Sequence, residues 1–246
     1  PLGITAKTAA RGAVLGARGN SGMMLAHFLL GFAEVMEGKE QASAQEVAEG
    51  FQRGASQLYS ALDDPREGTI LTVAREAAHA ASRAAVDSPD ISVFMTRLLH
   101  EGEIALARTP ELLEVLREAG VVDAGGMGFV RMLEGVVRYI EGDPILPAAP
   151  LTDADAAQRP AALIEVAAER DFQYCTEVMI RGDQLPATNE VRARIRNFGG
   201  SVQVVLAGDI LKIHVHTDTP DAVFTFAARW GSIETTKAED MRAQHR

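Results

Sequence analysis

The spacing of apolar residues changes once along this chain, and the change separates two kinds of secondary structure. From residue 5 to about residue 141, apolar residues recur every three or four positions, as in amphipathic helices. From Tyr174 onward the period is two, which is typical of strands. The stretch between them is rich in proline, alanine and aspartate, as linkers are. We therefore predict a helical domain over residues 1–142, a linker over 143–161 and a second domain over 162–246.

The helical domain contains seven predicted helices, each followed by a proline or a glycine that ends it. Short turns join these helices, so neighbours are expected to run antiparallel in a bundle. The predicted helices cover residues 5–15, 23–36, 44–62, 69–86, 91–107, 111–118 and 126–142.

The second domain alternates short strands with two helices in the order β-α-β-β-α-β. This order is the split βαβ, or ferredoxin-like, pattern, in which the first and third strands are neighbours in the sheet. The predicted strands cover residues 174–180, 201–206, 210–216 and 232–237, and the predicted helices cover 189–197 and 220–230.

Composition excludes several classes of function. A net charge of −10 argues against a broad nucleic-acid surface, which needs clustered lysine and arginine. The single cysteine excludes an intrachain disulfide and favours a cytoplasmic location. No run of 18 apolar residues predicts a membrane span. The chain begins without methionine or a hydrophobic signal region, so we expect residues to precede Pro1.

A glycine-rich turn, residues 16–22, separates the first two predicted helices. Its three glycines permit positive φ angles and close approach of a ligand. Asn20 and Ser21 are suitable N-caps for the following helix. The exposed N–H groups and the positive end of the helix dipole would suit a phosphate. Spacing alone leaves open an ordinary capped turn between two helices.

Two further turns bring glycine to the start of a helix, at residues 65–71 and 121–128. If alternate helices run parallel, the three turns gather at one end of the bundle, where a nucleotide could lie. The alternative is that these turns only end one helix and begin the next. Gly68-Thr69 would then be a helix cap, and Asp123–Gly126 would end one helix and start another.

The third predicted strand has one apolar and one polar face. Leu211, Ile213 and Val215 share the apolar face, which should lie under the helices. Lys212, His214 and His216 share the other face. On the first strand, Cys175 and Glu177 also share a face. If the two polar faces coincide, Cys175, His214 and His216 converge.

A thiolate and two imidazoles form a zinc-like ligand set, with a fourth position for Glu177, Asp218 or water. The alternative is a pair of half-exposed histidines beside an unconnected cysteine. The remaining helical histidines, among them His27 and His79, are interpreted as structural.

Five motifs occur together in one order: the three glycine turns, then Tyr174–Glu177, then His214–Asp218. The set resembles the bacterial fatty acid kinase A subunit, the DegV-partner kinase with an N-terminal DhaL-like domain, over nearly the whole chain. The resemblance implies an α + α/β chain: an all-α helical barrel that binds ATP and magnesium, followed by the ferredoxin-like domain.

The resemblance also implies roles for individual residues. Cys175, His214 and His216 match the family's zinc ligands. By the same likeness, Gly19, Asn20, Ser21 and Gly22 would hold the phosphates, Gly68 and Thr69 would lie near the nucleotide, and Asp123, Gly125 and Gly126 would close its other side.

The chain departs from the family in two respects. The family's Asp-Gly-Asp-Thr-Gly-Thr-Asn stretch, whose aspartates hold magnesium, has no match here, so no catalytic residue is named and the magnesium site is incomplete. The family's C-terminal domain would lie beyond Arg246. We therefore expect a fragment without useful phosphoryl transfer of its own.

The function implied is an ATP-dependent kinase of phospholipid metabolism that phosphorylates fatty acids presented by a DegV-like fatty-acid-binding protein. The carboxylate is itself the nucleophile, so the protein supplies positioning and charge, for which Arg18 is a candidate. Two alternatives are a dihydroxyacetone-type kinase and a non-catalytic, zinc-stabilised nucleotide-binding scaffold. A homodimer is left open.

Overall fold

Ten helices and four strands form the described part of the chain, which in this computed structural model comprises residues 1–62, 64–143 and 172–242. All but the first residue of the predicted linker lie outside it. The helices are α1 Leu2–Gly16, α2 Gly19–Met36, α3 Ala44–Ser60, α4 Ile70–Asp87, α5 Ile91–Ala107, α6 Thr109–Leu112, α7 Glu114–Ala119, α8 Ala124–Ile140, α9 Thr188–Ile195 and α10 Pro220–Ala227. The strands are β1 Tyr174–Arg181, β2 Gly199–Ala207, β3 Ile210–Thr217 and β4 Ser232–Asp240.

The described residues form two compact units. The first unit combines α1–α3 with the sheet and its two helices, and the second contains α4–α8. The helices predicted for residues 1–142 are therefore divided between the units.

The sheet of the first unit is antiparallel, with the strand order β2-β3-β1-β4. The predicted β-α-β-β-α-β order and the pairing of the first and third strands are confirmed. Leu211, Ile213 and Val215 pack in one core with apolar residues of α9 and α10, as the alternation on β3 predicted. The other face of the sheet is the one that carries the histidines.

That second face is covered as well, by α1 and α2. Val14 and Met23, from these helices, share a core with Val205, Ala207 and Ile210 of the sheet. Every residue of β3 is consequently buried, although a sheet with one packed face usually leaves alternate residues in water. The alternative of half-exposed histidines is therefore wrong.

Small residues let α2 and α3 approach closely in the first unit. A Cβ atom on Gly31 would lie 2.7 Å from the Arg53 carbonyl oxygen, and one on Gly54 would lie 2.8 Å from the Phe28 ring. The rings of Phe28 and Phe51 meet edge to face, with centroids 5.5 Å apart. These contacts fix α2, whose N-terminus is the glycine-rich turn.

The second unit packs an alanine-rich face of α4 against α5 and α8. One prediction fails here, because the single helix expected over residues 111–118 is two helices, α6 and α7. Leu113 between them is extended, with φ −128°. A Cβ atom on Gly68 would lie only 2.8 Å from the Leu113 Cβ, so the break in the helix seats Leu113 against the turn before α4.

Candidate functional site

Three side chains on adjacent strands converge at the polar end of the covered face. Cys175 lies opposite His216, and Glu177 lies opposite His214, in the β1–β3 register. A ligand atom from each of Cys175, His214 and His216 lies within 4.8 Å of the others, and Cys175 Sγ is 3.9 Å from His214 Nδ1. All three side chains are buried. The face shared by the strands places them together, as predicted.

This group has the chemistry of a metal site. Ligand atoms around a tetrahedral zinc ion are separated by about 3.3–3.6 Å, slightly less than the distance from Cys175 to His214. His214 is fully buried, and its Nε2 has no hydrogen-bond partner among the described residues. The nitrogen that lies near Cys175 is Nδ1, so Nδ1 is the candidate ligand atom, and a metal there would not satisfy Nε2. Small movements of the three side chains would bring their ligand atoms to coordinating distance.

Glu177 connects this cluster to the glycine-rich turn. Its Oε1 lies 3.4 Å from His214 Nδ1 and accepts a hydrogen bond of 2.7 Å from the backbone N–H of Gly19. Burial disfavours the charged carboxylate, but these two contacts and the charge of Lys212 prevail and lower the pKa of Glu177 to about 2. Asp218, the other candidate fourth ligand, instead accepts from the backbone N–H of Gln173.

The turn itself is held to the sheet by side chains. Lys212 donates to the carbonyl of Ala17, and Gln203 donates to Asn20 Oδ1 at 2.6 Å. Helix α2 starts at Gly19, which has φ +60°, and its N-cap residue Arg18 makes no side-chain cap. The prediction that Asn20 or Ser21 caps α2 is wrong, because both lie inside the helix.

The first turn of α2 therefore binds an anionic oxygen in this structure, and that oxygen belongs to Glu177. Carboxylates and phosphates are both favoured at a helix N-terminus, for the same reasons of dipole and free N–H groups. Ser21 is exposed there, and the N–H of Gly22 donates to the Arg18 carbonyl.

The other two glycine turns meet within the second unit. Asp123 caps α8 by accepting from the Gly126 N–H at 2.6 Å, and its carboxylate also accepts from the backbone N–H groups of Ile70 and Gly125. Asp123 thus joins the N-termini of α8 and α4. Burial raises the pKa of Asp123, and the three backbone hydrogen bonds offset part of this increase.

The predicted residues Gly68 and Thr69 lie at the same place. Thr69 caps α4, as expected for a Gly-Thr start, by accepting from the Leu71 N–H. Gly68 has φ +83° and donates its N–H to Thr72 Oγ1 at 2.8 Å. Gly126 permits the close approach, because a Cβ atom there would lie 2.8 Å from Val73 Cγ2. The two compact units therefore both have glycine turns at the N-terminal ends of helices.

Two residues attach the sheet to the glycine-rich turn, Lys212 and Gln203. Sequence reasoning placed Lys212 on the polar face without giving it a role, and it missed Gln203. The signal was their position, since both lie on the polar face together with His214. A buried lysine needs a partner, and Lys212 is 5% exposed.

No helix in the described ranges is both long enough and apolar enough to cross a membrane.

Comparison with known proteins identifies the class to which this fold and these turns belong. Residues 2–138 match the DAK2 domain, so the chain belongs to the DAK2 domain family. Residues 171–246 match the FakA-like middle domain, the middle domain of proteins similar to the A subunit of fatty acid kinase. The chain is therefore a FakA-like member of this kinase family, as the resemblance of its motifs implied.

The curated relatives are longer proteins. The chain is 36% identical to protein YloV of Bacillus subtilis over 99% of its own length and 46% of that protein. It is 37% identical to an uncharacterized protein of Staphylococcus saprophyticus, and 36% identical to one of Staphylococcus aureus, over 100% of the chain and 46% of each relative. The chain thus spans about half the length of the curated relatives that it matches.

Proposed function

We propose that this chain supplies nucleotide-binding and zinc-binding parts of an ATP-dependent kinase that phosphorylates a fatty acid carboxylate held by a DegV-like partner protein. The observation that carries the proposal is the anion site at the start of α2, where the Gly19 N–H binds a carboxylate next to a buried thiol–imidazole cluster. The two family matches support the kinase class.

The residues divide into an anion-binding set and a metal-binding set. The first-turn backbone N–H groups of Asn20 and Ser21 would bind phosphate oxygens, beside the Gly19 N–H that Glu177 already occupies. In the second unit, the turns at Gly68-Thr69 and Asp123–Gly126 are separate candidates for nucleotide contact. A fatty acid carboxylate needs no base to become a nucleophile, so the protein acts by holding the phosphates in position. No residue of this chain matches the family's magnesium aspartates, so we assign magnesium no ligand here.

Cys175, His214 and His216 would hold zinc, which supplies a rigid link between β1 and β3. The cluster is buried beneath the glycine-rich turn, so a structural role suits it better than a catalytic one. Through the contacts of Glu177, the metal cluster would then fix the position of the phosphate-binding turn.

A charge placed at the proposed phosphate site tests the nucleotide role. Ser21→Glu adds an exposed carboxylate to the first turn of α2, where it favours the helix but repels phosphate. Gln45→Glu makes the same change in the first turn of α3 and is the matched control. We expect isothermal titration of the chain with magnesium ATP to show weaker binding for Ser21→Glu alone.

The result also separates the alternatives. Equal ATP affinity in wild type, Ser21→Glu and Gln45→Glu would contradict phosphate binding at α2. ATP binding without turnover in the full-length protein supplied with its partner would favour the zinc-stabilised scaffold. A dihydroxyacetone-type kinase is disfavoured by the match of residues 171–246 to the fatty acid kinase-type middle domain.

A further inference from the structure

A polar cavity lies within the first unit, apart from the cysteine–histidine cluster. It has a volume of about 180 Å³ and is lined by α2, the C-terminal end of α3, the start of α9 and the edge strand β2. None of the glycine turns or the cluster residues lines it. For comparison, an apolar cavity of about 150 Å³ can hold benzene, so this space suits a molecule of about six or seven heavy atoms.

His27 makes this cavity unusual. Its side chain is nearly fully buried, yet neither ring nitrogen has a hydrogen-bond partner among the described residues. Burial, and to a lesser extent the charge of Arg192, lower the pKa of His27 to about 4. At neutral pH the ring is uncharged, with one N–H donor and one acceptor. Buried polar groups in folded proteins nearly always have a partner, so a ligand or water is expected at this ring.

The rest of the cavity lining has a polar, positively charged part and an apolar part. Arg192 brings a positive charge and is fixed to α3 by donating from Nη1 to the Ser60 carbonyl at 3.0 Å. The amides of Gln57 and Asn189 line the same space and supply N–H donors. Leu30 and Leu206 contribute an apolar part. Within the described part of the chain, no acidic side chain lines the cavity.

We propose that this cavity is a binding site for a small organic carboxylate with a short apolar chain, of about the size of butyrate. The cation and the amide donors match a carboxylate, and the leucines match a hydrocarbon chain. Inorganic phosphate would leave the apolar part of the lining in contact with water, and an uncharged molecule would gain nothing from the charge of Arg192. The site does not depend on nucleotide binding or on zinc.

Titration with three probes tests the charge and shape of the ligand. We expect butyrate to raise the melting temperature of the full chain in a concentration-dependent way. Butyramide has the same shape without the charge, and inorganic phosphate has charge without the hydrocarbon chain, so both should bind at least about tenfold more weakly. Equal binding of butyramide, tighter binding of phosphate, or no binding of butyrate would each overturn the proposal.

Two variants locate the site. Arg192→Gln should weaken butyrate binding about tenfold or more, whereas Arg194→Gln, on the same helix and paired with Glu190, should not change it. In long-range ¹H–¹⁵N spectra the ring nitrogens of His27 should shift on addition of butyrate, while those of His79, exposed on α4, stay in place. If Arg192→Gln alters folding without ligand, the His27 shift in the wild-type chain decides whether butyrate binds in this cavity. An unchanged His27 signal would overturn the assignment.

Discussion

Glu177 Oε1 accepts a hydrogen bond of 2.7 Å from the backbone N–H of Gly19, and this contact ties β1 to the start of α2. The same oxygen lies 3.4 Å from His214 Nδ1. One buried carboxylate therefore touches both the glycine-rich turn and the cysteine–histidine cluster. A change in the cluster that moves His214 should therefore also move the glycine-rich turn, through the contacts of Glu177.

Glu177→Gln should loosen this connection. The amide keeps an oxygen that can accept from Gly19 but loses the charge that balances Lys212, whose ammonium lies 4.0 Å from Glu177 Oε2. Since a buried charge without its partner is costly, we expect unfolding free energy to fall by roughly 1–3 kcal/mol. Urea unfolding of the chain measures this loss.

The matched control is Glu234→Gln, which removes a carboxylate from an exposed pair with Arg181. Exposed ion pairs contribute at most about 1 kcal/mol, so this variant should unfold close to wild type. Equal destabilisation by the two substitutions would show that the position of Glu177 beneath the turn has no special effect.

Cys175→Ser tests the metal cluster. The hydroxyl is a much poorer zinc ligand than a thiolate, so we expect the zinc content to fall from about one ion per chain to a small fraction of that. Elemental analysis of protein purified without chelator measures the content. His79→Gln, which changes an exposed histidine outside the cluster, should retain the metal. Unchanged zinc in Cys175→Ser would remove the site from consideration.

Much of the architecture could be read from the sequence because its periodicity is strong. The bounds of α5 agree with the prediction to the residue, and the alternation in β3 correctly placed Leu211, Ile213 and Val215 under the helices. The convergence of Cys175 with the two histidines was expected from strand order and alternation if the two polar faces coincide, and the β1–β3 register shows that they do. These features depend on local pattern and on the small number of ways in which such strands can pair.

The features that were not predicted depend on contacts between distant parts of the chain. Nothing local indicates that α1 and α2 cover the polar face of the sheet, or that Lys212 reaches the Ala17 carbonyl. Asn20 lies inside α2 instead of capping it, and its side chain accepts from Gln203 of β2, which is a long-range partner. Local propensity identifies residues able to cap a helix, but tertiary contacts decide what they bind.

Asp123 offers a test of the turn that joins α4 and α8. Its side chain caps α8, and asparagine is an equally good cap, so Asp123→Asn should keep the hydrogen bond to Gly126. Because burial raises the pKa of Asp123, the native charge costs stability as pH rises above the unfolded value of 3.8. We therefore expect Asp123→Asn to be at least as stable as wild type at pH 7, measured by urea unfolding.

Asp123→Ala provides the contrast, since alanine cannot cap and leaves the N–H groups of α8 and α4 without their acceptor. It should lose about 1–2 kcal/mol relative to wild type. If the asparagine variant loses as much as the alanine variant, the negative charge, rather than the cap, stabilises this turn.

His27 should make the stability of the chain depend on pH. Its pKa is lowered from 6.5 to about 4 by burial and by Arg192, so the unfolded state binds a proton before the folded state does. Stability is therefore lost as pH falls from about 6.5 to about 4, by up to roughly 3 kcal/mol. His27→Leu fits a buried helical position and removes this proton, so it should gain stability over wild type throughout that window. The measurement is urea unfolding at several pH values, with His79→Gln as the exposed-histidine control. A wild-type slope that persists in His27→Leu would place the acid sensitivity in other groups.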